Sequence, residues 1–165
     1  MIPDFPKKGI LFQDITSITD NKLLFKEVVD EISKYVKKNK FTKIAAVEAR
    51  GFIFGSAVSY KTKIPFVPIR KKGKLPGKVL KQKYKLEYGT DEIQIHKSSI
   101  NEKDKVLVID DLIATGGTAF ASANLINKCK VRSIEFFFII DLKNIGGSKK
   151  LGEKYKLSSI LEAEG

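Results

Sequence analysis

The chain has 165 residues, which suits one domain with a sizeable core, and at 42% hydrophobic it reads as globular rather than disordered. Cys129 and His96 are the only residues of their kinds, which excludes an intrachain disulfide and a zinc cluster. The net charge of +12 is carried by lysine, with arginine only at 50, 70 and 132; this argues against nucleic-acid readout, which favours arginine, and fits solvated lysines or a site for highly charged anions.

Met1 to Thr19 is a loop-rich start with Pro3, Pro6 and Gly9 and without the basic-then-apolar pattern of a signal peptide. No apolar run reaches membrane length, so no membrane partner and a cytoplasmic setting are expected. Asp20 is the expected N-cap of a helix from about Lys22 to Lys38, where Phe25, Val28, Val29, Ile32, Tyr35 and Val36 recur at helical spacing. A short buried strand follows at Lys43–Val47, then a helix from about Phe52 to Tyr60 and a strand at Phe66–Ile69. Lys71 to Ile95, with its glycines, Pro76 and many lysines, reads as a mobile two-stranded excursion from the core.

Val106–Ile109 is a run of four apolar residues and predicts a buried strand. Asp110 and Asp111 sit where that strand should end, followed by the small and hydroxyl residues Ala114, Thr115, Gly116, Gly117 and Thr118 and a helix to about Lys128. Such a strand–loop–helix junction offers free N–H groups to a phosphate, and the glycines let the backbone approach it. Two carboxylates beside a phosphate nest would repel it, so they should face a sugar diol or a bridging metal. No G-x-x-x-x-G-K-[ST] and no G-x-G-x-x-G after a strand is present, which sets aside the P-loop and dinucleotide alternatives. Ile134–Ile140 is a further buried strand, and Gly146-Gly147 break the chain before a short terminal helix. Strands alternating with helices predict an α/β fold with a mostly parallel central sheet flanked by helices on both faces, its ligands at the carboxyl ends of the strands.

The acid pair joined to Thr-Gly-Gly-Thr resembles the phosphoribosyl-pyrophosphate (PRPP) loop of type I phosphoribosyltransferases. Three other segments are similar to the adenine phosphoribosyltransferases of that family, in family order: Phe5–Thr16, Val47–Gly55, and the pair Ile69–Gly77 with Tyr84–Thr90. Together they run from about Phe5 to about Leu157. The resemblance implies a type I phosphoribosyltransferase-like domain over 1–165 with a flexible β-hairpin catalytic loop. It implies transfer of the phosphoribosyl group of PRPP to adenine, giving AMP and pyrophosphate, with Mg2+ held mainly by PRPP and water, and a homodimer. It places ribose and 5′-phosphate on Asp110, Asp111, Ala114, Thr115, Gly116, Gly117 and Thr118. Arg50, Arg70, Lys71, Lys74 and Tyr88 correspond to pyrophosphate-binding positions, and Leu11, Phe12 and Leu112 to the adenine slot. A cis or strained peptide near Glu48-Ala49 belongs to the same pattern. Glu87, on the closing loop, is the candidate acid/base for the proton adenine loses. Gln13 departs from relatives that carry Arg there. Lys78, Lys81, Lys83 and Lys85 read as a solvated face, and His96 as structural. Two alternatives stay open: an enzyme of the same fold for hypoxanthine, guanine or xanthine, and a non-catalytic PRPP or purine sensor.

Overall fold

The computed structural model describes residues 15–85 and 89–164, together with the backbone of 2–3 and 11–12. The last two segments, β1 (Ile2–Pro3) and β2 (Leu11–Phe12), pair antiparallel. A single turn, α1 (Thr16–Thr19), leads into α2 (Lys22–Lys38). The cap of α2 is Asn21, not Asp20. Asn21 has the extended backbone a cap needs, and its side-chain oxygen accepts from the amides of Leu23 (3.0 Å) and Leu24 (3.2 Å). Asp20 is held helical where it closes α1.

Then follow β3 (Lys43–Val47), α3 (Arg50–Thr62), β4 (Phe66–Lys71), β5 (Val79–Lys85), β6 (Thr90–His96), β7 (Lys105–Ile113), α4 (Gly117–Asn127), β8 (Ser133–Leu142), α5 (Gly147–Gly152) and β9 (Lys156–Ala163). The large sheet has the order β5-β6-β4-β3-β7-β8-β9. The pairs β4–β3, β3–β7, β7–β8 and β8–β9 are parallel, while β6 runs antiparallel to both β4 and β5. The expected parallel α/β sheet is therefore present, with β3 and β7 at its centre.

Three sequence expectations need correction. The 71–95 segment is two-stranded as expected, β5 pairing antiparallel with β6, but it is not an excursion from the core: β6 joins the main sheet, and Ile93 and Ile95 are fully buried. Alternating apolar residues in an antiparallel strand fasten it to the sheet as firmly as a parallel neighbour would. The β7 strand does not end before the acid pair; it pairs with β8 as far as Ile113. The chain does not finish on a helix either, because β9 follows α5 and covers the aromatic strand β8.

Alternate side chains feed opposite faces. Ile44, Ala46, Leu107 and Ile109 pack with α2 and α3, while Ala45, Val47, Val106 and Val108 pack with α4. Helices thus cover both faces, which leaves the carboxyl ends of β3 and β7 open, side by side, at one edge of the layers.

Candidate active site

A cavity of about 280 Å³ lies at those strand ends. Its floor is Val47 and Phe138; its walls come from the β3–α3 junction, Lys71, and the run from Asp110 to Ala119. Ten predicted residues line it: Arg50, Lys71, Asp110, Asp111, Leu112, Ala114, Thr115, Gly116, Gly117 and Thr118. They come from three separate parts of the sequence, and the pairing of β3 with both β4 and β7 is what joins them.

The acids carry the local electrostatics. Asp111 is buried, and Asp110 half-buried beside it; the Asp111 amide donates to Asp110 Oδ1 at 3.0 Å. Burial, and for Asp110 also the neighbouring negative charge of Asp111, push both carboxyls above the ordinary carboxylate range. Arg50 opposes this. Its Nε lies 2.9 Å from Asp111 Oδ2, yet that oxygen has no aligned hydrogen bond among the described residues. Arg50 opens α3, where the helix dipole disfavours a cation, so the acid pair in front of it is what holds it there.

The loop after the acids turns at Gly116, whose φ of +83° suits glycine and which caps α4. The first amide of this segment to reach a carbonyl among the described residues is that of Phe120, on Gly116 O at 2.9 Å. The residues ahead of it, at the start of an eleven-residue helix, line the cavity, and a helix start leaves its first N–H groups without intrahelical partners.

On the opposite wall the cations are fixed by acids that the sequence reading did not single out. Glu48 accepts from Arg70 Nη2 at 3.1 Å and Nε at 3.3 Å, and from the Lys71 amide. Lys71 Nζ donates to Tyr84 Oη at 3.0 Å and to Asp91, and Tyr84 Oη donates to Asp91 Oδ2 at 3.2 Å. Burial works against the Lys71 charge, but Asp91 and Tyr84 outweigh it and raise its pKa. The same contact with Lys71 lowers the pKa of Asp91. Glu48 carries one sequence signal, an acid directly after a short apolar run, as Asp110 does. Asp91 carries none, because only strand register brings it to its partners: β4–β6 pairing sets it near Lys71, and β5–β6 pairing sets it opposite Tyr84.

Arg70 and Lys74 do not line the cavity; Arg70 meets it through Glu48 and donates to the Lys74 carbonyl at 3.2 Å. The Glu48–Ala49 peptide is cis, as the resemblance implies. The side chains of Leu11 and Phe12, and Gln13, Glu87 and Tyr88 altogether, lie outside the described residues. Among the described residues no group of three or more His, Cys, Asp or Glu is placed to hold a metal.

Residues 14–164 match the family described as the phosphoribosyl transferase domain. The adenine phosphoribosyltransferase of Chlorobium phaeobacteroides is 50% identical over 99% of this chain and 94% of its own. The chain belongs to the adenine phosphoribosyltransferase family. That of Pelagibacter ubique is 48% identical over 99% of this chain and 94% of its own. Among solved structures, the adenine phosphoribosyltransferase of Thermoanaerobacter pseudethanolicus superposes with a TM-score of 0.84 at 44% identity, over 98% of this chain and 94% of the other. The APRTase of Giardia lamblia, solved with 9-deazaadenine, gives 0.87 at 34% identity, over 99% and 93%. The superpositions extend over nearly the whole of this chain and so take in its mixed but mostly parallel sheet. No helix among the described residues is long and apolar enough to cross a membrane.

Proposed function

We infer that this chain transfers the 5-phosphoribosyl group of PRPP to adenine, giving AMP and pyrophosphate, a purine-salvage reaction. The observation that carries the chemistry is the cavity at the ends of β3 and β7, where an acid pair, an amide-rich loop and Arg50 converge. The choice of adenine rests on relatives at about half identity over nearly the whole chain.

Asp110 and Asp111 accept hydrogen bonds from the ribose hydroxyls. The amides and hydroxyls of Ala114 to Thr118, at the start of α4, hold the 5′-phosphate. Arg50, Arg70, Lys71, Lys74 and Tyr88 take the pyrophosphate, and their charges favour its departure as the anomeric carbon becomes cationic. Leu112 forms one wall of the adenine slot, Phe12 the other, and the backbone near Leu11 meets the ring edge. Glu87 takes the proton that adenine releases as the new C–N bond forms. The catalytic share of the protein is thus mainly orientation and charge placement.

The donor set fits a magnesium ion brought in with PRPP. Asp111 Oδ2, buried beside Arg50 but without an aligned hydrogen bond among the described residues, would accept from the ion's waters or from the diol. When bound, magnesium offsets the charge of the leaving pyrophosphate. A homodimer working in the cytoplasm completes the reading.

The test offers PRPP and magnesium with adenine, hypoxanthine, guanine, xanthine and uracil in parallel. AMP formed far faster than any other nucleotide is the expected outcome. Product from another base alone overturns the adenine assignment. No product from any base, with PRPP still bound, turns the chain into a sensor.

A further inference from the structure

The loop from Ala114 to Thr118 must aim several amides at one point, yet it is made of small residues that hold little by their own side chains. The turn between β8 and α5 lies directly against it. Gly146, with φ of +84°, closes that turn through its amide to Lys143 O at 3.2 Å. Gly147 then donates its amide to Ala114 O at 3.0 Å, a hydrogen bond between two segments more than thirty residues apart.

At this contact the two backbones touch with no side chain between them. A Cβ built on Gly147 falls 2.1 Å from Ala114 O, 2.5 Å from the Thr115 carbonyl carbon and 2.6 Å from the Gly116 nitrogen. All three are main-chain atoms of the loop, so none can rotate out of the way. From the other side, a Cβ on Gly116 would lie 3.3 Å from Gly147 O. Recoil of α5 is opposed by Leu151, which is fully buried in the core beneath it. Gly146 differs: a Cβ there meets nothing within 4 Å, so that glycine answers to its dihedral angle alone.

We propose that Gly147, which does not line the cavity, is a positioning residue for the reaction: its bare backbone, pressed against Ala114–Gly116, sets where the phosphate-binding amides stand. This rests on reading the 114–118 loop as the 5′-phosphate site. A methyl group at 147 moves the loop rather than the helix that Leu151 anchors, and the grip on phosphate weakens while the adenine slot is left alone.

Two variants separate position from stability. Gly147→Ala should raise the KM for PRPP about tenfold or more and weaken ribose 5-phosphate binding in calorimetry by a similar factor. Its KM for adenine, at saturating PRPP, should stay within about twofold of wild type. Gly146→Ala strains a left-handed residue and should lower thermal stability, but keep the KM for PRPP within about threefold. A merely structural role would make the PRPP constant follow stability in both variants. If Gly147→Ala does not fold, amide exchange of the wild-type protein decides: ribose 5-phosphate should slow exchange at Gly147 as well as at Gly117 and Thr118. The proposal is overturned if Gly147→Ala binds ribose 5-phosphate as wild type does, or if the ligand protects the loop amides and leaves Gly147 unchanged. Failure of the wild-type protein to bind ribose 5-phosphate refutes the phosphate-loop reading itself, and the proposal falls with it.

Discussion

Asp110 and Asp111 are adjacent carboxylates at a largely water-excluded strand end, and nothing about folding asks for them there. Burial raises the native pKa of each above its unfolded value, and the charge of Asp111 adds to this at Asp110. A carboxyl with a raised native pKa binds its proton more tightly when folded. Its contribution to stability is therefore full at pH below the ordinary aspartate value and is lost as pH rises through the native one. Asp110→Asn removes that loss. In denaturant titrations between about pH 4 and about pH 8, the variant should gain on wild type as pH rises, and be the more stable of the two at the alkaline end. The same variant should bind PRPP at least about a hundredfold more weakly, since a carboxamide cannot supply a charged acceptor to the ribose hydroxyls. A stability difference that does not change with pH would show that Asp110 ionises as easily folded as unfolded.

Among the elements, β8 is legible as a strand from its own apolar run, whereas its neighbour on the far side is not. Phe136 and Phe138 are fully buried and stack with centroids 6.0 Å apart, while Tyr155 meets Phe136 edge-on at 5.7 Å. Such a strand requires cover on both edges, and β9 supplies the second. Lys156–Ala163 gave no warning of this, because its alternation is interrupted by Ser158 and Ser159. Phe136→Ala should cost about 3–5 kcal/mol in urea unfolding, the usual cost of truncating a buried aromatic. Less than about 1 kcal/mol would mean that α4 and β9 collapse into the space. The helices were more legible than the hairpin. The 3.6-residue spacing of Val28, Ile32 and Val36 is self-contained, whereas the place of Ile93 and Ile95 depends on β4, more than twenty residues earlier.

For the whole molecule, a charge of +12 surrounds a site for a polyanion. Strand β5 stands at one edge of the sheet and exposes Lys81, Lys83 and Lys85. Lysines there keep the open edge from pairing with another chain. They also raise the potential met by an approaching anion. Raising salt from about 0.05 M to about 0.5 M shortens the screening length severalfold, so kcat/KM for PRPP should fall about fivefold or more, with the KM for neutral adenine changed by less than about twofold. Equal salt dependence for both substrates would remove the steering role from this surface.

Local physics reached a good part of the result from the sequence alone. The periodicity of α2, the apolar runs of β3, β7 and β8, and the Asp-Asp-to-Thr-Gly-Gly-Thr junction are each complete within a short window, because hydrophobic period and turn chemistry act between near neighbours. What the tertiary structure decided are contacts between windows. The β3–β7 pairing sets Arg50 against Asp111, Glu48 gathers Arg70 and the Lys71 amide, Asp91 holds the Lys71 side chain, and Gly147 meets Ala114. Strand register and backbone-to-backbone packing fix such meetings, and neither leaves a mark on the residues until the sheet has formed.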